Sequence, residues 1–522
     1  MQKIFLGPPM NSMNVLVKYF PTGTTEGERH ILRKAFVQLD EYAEIISPPP
    51  CSPRILVGKK GSGKSAIIDF SMAVFKHTGV PAIQLKPLDL DLGAIPETAS
   101  VGEVTRIAFL ELSRAIARTL GTSVSGLLSA QDKALYEEAV DAGLRDRDTI
   151  DKLAHLLPKL AKPLIEVDLS QLLPAVSVAN RNQLLKAIKS NLEETQSGFY
   201  LFIDDTDQVA APDRPGHLNR IWGFLLAARE LAQRIEQLRC VISLREEVWR
   251  RITSDRAGQR DQTDHFAGLV RFLSPTRSHI RNIVEKRINL AAREIDSKSS
   301  RTWDLFFESD NPLMPTTNLR SSWPDLIVVR SRERPRDAVQ LVNALAQAAN
   351  ANKLEKINDS LFAKEMIEFS KQRVSLLAQE SEFECPQIEQ IIRTFSYLEY
   401  DQGSFKAKAE MIKDHILRHC TNFGAQLFGR SLKSGNEDDA FHLWKYLFDI
   451  GFLNARVSDS REKDGYRHVY PREDPNFVSK SRWSDMQATA WEIGPSYRDF
   501  LISLQQEHVA RTGLPPKTRK RL

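Results

Sequence analysis

The chain has 522 residues, of which 42% are hydrophobic and 27% charged. That balance is globular and excludes a wholly disordered chain, a collagen-like fibre and a small disulfide-framed domain; at about 150 residues per domain, roughly three domains are expected. The formal net charge of +5 resides in residues 511–522, RTGLPPKTRKRL, where Arg511, Lys517, Arg519, Lys520 and Arg521 meet no acid, so the charge implies a basic tail and not a polyanion-binding surface over the whole molecule.

No run of about 18 apolar residues occurs, so neither a transmembrane helix nor a membrane partner is expected. The opening stretch MQKIFLGPPMNSMNV is too broken to read as a signal peptide. Cys51, Cys240, Cys385 and Cys420 lie far apart with no CxxC. They read as reduced thiols of a cytoplasmic protein, neither a metal site nor staples.

Along the chain, residues 26–46 show helical spacing at Ile31, Ala35, Phe36, Leu39, Tyr42 and Ile45. The prolines of SPPPCSP (47–53) break it. RILVGKKGSGKSAIIDF then gives a short apolar run, a glycine-rich turn and an apolar helix, and Ala82–Leu85 reads as a second strand. Residues 105–120, 148–160 and 181–195 read as helices without a strand between them, which predicts a helical insertion. GFYLFIDD (198–205) and RCVISL (239–244) are continuous apolar runs, the pattern of buried parallel strands, and GLVRFL (268–273) is a weaker third. Ser274 suits an N-cap and Pro275 the first helical position of the next helix. Residues 335–350 form another helix. Near the C-terminus, Phe441, Leu443, Trp444, Leu447, Phe448 and Ile450 make a helical stripe that Gly451 ends; GYRHVYP (465–471) reads as wing strands, and WEIGPSYRDFLISL (491–504) as a strand followed by a helix. This order looks like a winged helix, with the stripe as core. The basic segment 415–433 reads as a solvated face, with DNA contact as the alternative.

Gly58, Lys59, Lys60, Gly61, Ser62, Gly63, Lys64 and Ser65 fit G-x-x-x-x-G-K-[ST]. Glycines let backbone N–H groups turn inward around phosphate oxygens while the following helix aims its N-terminus at the same anion. In that pattern Lys64 reaches the β and γ phosphates and Ser65 offers its hydroxyl to Mg²⁺. FYLFIDDTD (199–207) supplies the partner motif: Asp204 ends the strand and is placed to hold Mg²⁺ through water, Asp205 to orient the attacking water, and Asp207 to cap the segment after the turn. Arg245, at the end of VISLR, can sense a γ-phosphate or serve as an ordinary ion-pairing residue beside Glu246 and Glu247. In RSRERPRD, Pro335 opens a helix and Arg336 lies in its first turn. Arg336 is therefore either a lid arginine for the nucleotide or part of a solvated basic face.

GKKGSGKS, FIDDTD, SLREEVW and RPRD, in this order, resemble the Walker A, Walker B, sensor 1 and sensor 2 motifs of additional-strand P-loop ATPases, the AAA+ and STAND groups. The likeness extends to bacterial members with a C-terminal winged-helix region found among mobile-element or antiviral defence genes. It covers residues 20–350. It implies an α/β fold with a five-stranded parallel sheet in which the Arg245 strand separates the two Walker strands, followed by a helical lid and a winged-helix-like C-terminal domain. It also implies ATP and Mg²⁺ as cofactors, conformational switching and oligomerisation. The sequence offers no arginine finger, so trans-activated hydrolysis is not implied. The expected organisation is a helical lead-in (1–53), an ATPase core (54–275, with a helical insertion at 86–197), a lid (276–380), a winged-helix-like domain (381–510) and the basic tail (511–522).

Three functions compete: an ATP-hydrolysing switch that engages DNA or a protein partner, as a homo-oligomer or with an effector; a DNA-loading or initiator-type protein; and a nucleotide-binding scaffold with little turnover. The tail yields a direct test. If it contacts DNA, a chain ending at Ala510 should lose affinity, and its log–log salt slope should flatten by up to about 4, because each neutralised phosphate releases counterions. Equal affinities and slopes would make the tail a solubilising terminus only.

Overall fold

The computed structural model describes residues 11–92, 95–96, 98–124, 130–144, 181–209, 216–254, 265–298, 301–314, 320–400, 404–421, 423–462 and 465–513. The expected helix at 148–160 and the tail residues Lys517, Arg519, Lys520 and Arg521 lie outside them. The chain forms two compact units: Gln38–Ser274, and Met1–Val37 together with Pro275–Leu522. The residues expected as one lead-in thus divide, those up to Val37 grouping with the C-terminal part and those from Gln38 with the sheet.

The first unit is an α/β P-loop NTPase fold. Its strands are β1 (Arg54–Gly58), β2 (Ala82–Leu85), β3 (Phe199–Ile203), β4 (Leu238–Arg245) and β5 (Val270–Phe272). They pair in the order β2-β3-β4-β1-β5, every pair parallel. The Arg245 strand therefore lies between the two Walker strands, as the resemblance implies. All five residues of β1 are buried, which is why its sequence is continuously apolar where an exposed sheet would alternate. Register sets Gly58 beside Arg245 and Ile203 beside Ile242, so the carboxyl ends of β1, β3 and β4 share one edge. The helices Lys64–Thr78 and His217–Arg234 pack on the sheet, and Val101–Gly121 packs on His217–Arg234 with Ala130–Asp141 and Arg181–Glu194 beside it. The longest begins with a reciprocal capping box: Ser100 Oγ accepts from the Glu103 amide, and Glu103 accepts from the Ser100 amide at 2.8 Å.

Two local expectations differ. The helical spacing of 26–46 resolves into two helices, Thr25–Ala35 and Tyr42–Ile46, because Phe36 turns extended at the first helix's end and the boundary between units follows Val37. The helix expected to start at Ser274–Pro275 runs instead from Arg277 to Ile295, capped by Thr276, whose hydroxyl accepts from the His279 amide.

The second unit has two apolar clusters. One gathers the N-terminal helix Ser12–Tyr19 and the helices Arg277–Ile295, Trp323–Arg330, Pro335–Ala351 and the first half of Asp359–Glu380. Around the other are β6 (Lys406–Ala407), the β7 (Gln426–Leu427) and β8 (Arg430–Ser431) hairpin, β9 (Leu453–Ser458), β10 (Tyr466–Val469) and β11 (Ala490–Ile493). Four of these strands form an antiparallel sheet in the order β10-β9-β11-β6. The predicted stripe lies on the helix Glu437–Asp449, which Gly451 (φ +76°) ends. Residues 415–433 are not simply a solvated face. Arg418, His419, Arg430 and Lys433 are exposed, as a solvated face requires, but His415 and Cys420 are buried, burial pushes the His415 imidazole down to about 3, and the apolar Phe423 and Phe428 are exposed beside them.

The RSRERPRD arginines are not a solvated face either. Arg330 is wholly buried and donates to Asp499 and to the Pro495 carbonyl, both at 2.6 Å. Arg332 pairs with Asp337 at 2.5 Å, Arg334 with Glu380 at 2.8 Å, and Arg373 closes on Asp337 at 2.7 Å. Among the described residues no helix is long and apolar enough to cross a membrane. Breaking a buried pair leaves its partner charged and desolvated. Asp499→Asn should therefore cost about 3–5 kcal/mol in denaturant unfolding of the full chain; an unchanged midpoint would show the pair to be dispensable.

Candidate nucleotide site

The site grows from the turn between β1 and the helix Lys64–Thr78. Gly63 caps that helix at φ +104°, a conformation other residues rarely adopt, and no side chain caps the helix. The first-turn N–H groups thus have no capping side chain and suit an anion. Gly58 is equally constrained: a Cβ there would fall 2.6 Å from Ser62 Oγ. Lys64 is buried, and its Nζ donates to the carbonyls of Gly58 at 2.7 Å and Lys59 at 3.2 Å. Burial lowers the pKa of this ammonium and the Arg245 charge lowers it further, while Glu247, Asp207 and Asp204 oppose the shift.

Asp204 stands at the end of β3 and is 1% exposed. Its Oδ1 accepts from Ser243 Oγ at 2.5 Å and from the Asp205 amide at 3.0 Å. Its Oδ2 is buried with no hydrogen-bond donor. Burial raises the carboxyl's pKa above the usual range; Ser243 and Ser65 lower it, and the neighbouring Asp205 charge raises it.

Asp205 holds a left-handed conformation, φ +52°. Its carboxylate is partly exposed and pairs with Lys86 at 3.3 Å. Asp207 pairs with Arg245 Nε at 3.0 Å. Burial raises the Asp207 carboxyl, with Arg245 opposing. Arg245 is thus at the expected strand end beside Gly58, and its ion pair reaches back to the acid of the neighbouring turn. Arg336 belongs to the other unit, where its Nε donates to the Gly23 carbonyl at 3.3 Å.

The structure brings Gly58 through Ser65, Asp204, Asp205 and Arg245 to one sheet edge. It adds two residues that sequence reasoning missed, Ser243 and Lys86, and sets the charge of Glu247 against that of Lys64. Ser243 was visible as the one hydroxyl in the apolar run CVISL. Lys86 directly follows β2. Glu247 carries the foremost of the charges that oppose the Lys64 shift. An oxygen set of a serine hydroxyl and a buried carboxylate with a bare Oδ2 suits Mg²⁺, which takes few protein ligands and completes its shell with phosphate and water.

A family model described as the FunZ-associated C-terminal helical domain matches residues 278–378. No curated protein matches the chain. Among solved structures, the Aeropyrum pernix ORC2 protein in ADPNP–ADP complexes is 11% identical, with TM-score 0.37, over 93% of this chain and 95% of that one. Cdc6p from Pyrobaculum aerophilum is 13% identical, with TM-score 0.31, over 95% and 98%. Drosophila ORC bound to DNA is 10% identical, with TM-score 0.35, over 97% and 95%.

Lys64→Ala removes the buried cation of the loop. It should weaken Mg²⁺-dependent ATP binding by at least about tenfold, or roughly 1.4 kcal/mol, in calorimetry; unchanged affinity would remove the loop from phosphate binding.

Proposed function

We propose that this chain is an ATP-binding, ATP-hydrolysing switch protein in which water attacks the γ-phosphate. The observation that supports this best is a convergence at one sheet edge. There an N-terminus without a side-chain cap, the buried Lys64 ammonium and the bare Oδ2 of Asp204 meet. Lys64 and the loop N–H groups of Gly58–Ser65 bind the phosphates, with Lys59, Lys60, Gly61 and Ser62 shaping the cradle. Ser65, and Asp204 through water, are the residues that would hold Mg²⁺. When bound, Mg²⁺ supplies positive charge to the phosphate oxygens. Asp205, the partly exposed acid of the turn, orients and polarises the attacking water. Arg245 senses the γ-phosphate at the cost of its pair with Asp207, and Arg336 acts as the lid arginine. Catalysis in such a site is positioning and electrostatics.

The finer readings draw on the sequence resemblance: AAA+ or STAND-like membership, a setting in defence or mobile-element biology, a homo-oligomer or an effector partner, cytoplasmic residence, and the division into core, lid (276–380) and winged-helix-like domain (381–510). A scaffold with little turnover is the same site without an effective Asp205.

DNA engagement of the initiator type is a second reading, favoured by the β9–β10 hairpin beside a helix. The helix itself is a poor reader of DNA. Its exposed positions include Glu437, Asp438 and His442, and its acids already pair with Lys413 and Lys480. The hairpin, with exposed Arg461 and Arg467, is the better surface, since phosphate contacts dominate affinity.

Asp205→Asn tests the hydrolytic role. It should keep ATP affinity and lose about 10²-fold in kcat, the usual scale for one acid–base group; equal turnover would remove Asp205 from the chemistry.

A further inference from the structure

Ser243 sits in the middle of the sheet, wholly buried, between Ile242 and Leu244, which are also wholly buried. A hydroxyl in that place needs partners, because an unpaired polar group inside a core is costly. Both partners shown by the structure belong to the turn after β3. The hydroxyl donates to Asp204 Oδ1 at 2.5 Å and accepts from the Asp205 amide at 3.1 Å. One oxygen atom therefore bridges the two acidic residues proposed for hydrolysis, from a strand 38 residues further along the chain.

That bridge has two consequences. With Oδ1 engaged by Ser243 and by the Asp205 amide, Oδ2 is the Asp204 oxygen left without a donor. Asp205 is also left-handed at φ +52°, a conformation that aspartate tolerates better than most non-glycine residues, and the bond from its amide to Ser243 Oγ helps to hold it there. We infer that Ser243 is a positioning residue for hydrolysis: its single hydroxyl presents the bare Asp204 oxygen and fixes Asp205 for the water. Ser243 touches neither nucleotide nor water in this role, and acts through the two acids.

The inference rests on the ATPase reading, so its test separates the two. Full-length wild type, Ser243→Ala and Ser243→Thr are compared by calorimetry with ATP, in EDTA and across a Mg²⁺ series, and by steady-state ATPase kinetics. Ser243→Ala should keep metal-free ATP affinity and KM within about twofold, while kcat falls by about tenfold or more. The Mg²⁺ concentration that half-supports binding should rise by about 3–10-fold, since the carboxylate oxygen is no longer held for it. Ser243→Thr, which keeps the hydroxyl, should recover most of both. Should Ser243→Ala fail to fold, Ser243→Cys preserves the volume with a much weaker donor, and the same split is expected. A purely structural role predicts parallel losses in metal-free affinity and kcat with no recovery by threonine, and that result overturns the inference. So does Ser243→Ala with kcat and Mg²⁺ requirement within about twofold of wild type. Wild type that binds no ATP under any metal condition overturns the ATPase reading itself, and the inference with it.

Discussion

A buried lysine ammonium is the constraint around which the carboxyl edge of the sheet is arranged. Lys64 has little water, so its charge must be met by protein groups. The carbonyls of Gly58 and Lys59 take its protons, and the carboxylates of Glu247, Asp207 and Asp204 supply opposite charge. Asp207 and Asp204 are themselves costly to bury and need their own partners: Asp207 takes Arg245, and Asp204 takes Ser243. The Arg245 charge works against Lys64, so the Asp207 pair moderates a repulsion as well as satisfying an acid.

Much of this was legible in the sequence, for physical reasons that differ by element. β1, β3 and β4 were readable because strands buried on both faces are continuously apolar. The loop was readable because glycine is required where the backbone turns left-handed, as at Gly63. What sequence reading missed was pairing at a distance. Ser243 looks like one hydroxyl in an apolar strand until the register places it next to Asp204. Lys86 becomes meaningful only when β2 pairs with β3. The helix start was misplaced by two residues because Ser274 and Thr276 are both plausible caps, and only the observed bond to the His279 amide separates them.

The arginines of RSRERPRD show the same limit in the second unit. Four arginines in seven residues read as either a lid contact or a solvated face when only local sequence is visible. Their partners are Asp499, Glu380 and Asp337, and two of those three lie far along the chain. Arg332 and Glu333 both adopt φ +53°, and the backbone carries that strain where the pairs over-determine the turn. The network ties the helix Trp323–Arg330 to the C-terminal residues Pro495–Asp499. Buried charges of this kind specify a geometry more than they raise stability, because desolvation offsets most of the attraction. Movement between these helices would therefore require the arginines to exchange partners, and not merely to slide over apolar surface.

FIDDTD presents three acids that look interchangeable in sequence, and the structure makes them unequal. Asp204 is buried with one oxygen bare, Asp205 is strained and partly exposed beside Lys86, and Asp207 is buried against an arginine. Environment assigns the tasks. A buried, neutralisable carboxyl with an open oxygen suits a cation; an exposed one can reach water; one already neutralised by a guanidinium serves the charge balance of the edge. The two side chains of Asp204 and Asp205 are identical, so their difference lies in Ser243, Lys86 and the left-handed turn. The contrast between the acids is thus a property of strand pairing: β3–β4 sets Ser243 against Asp204, and β2–β3 sets Lys86 near Asp205.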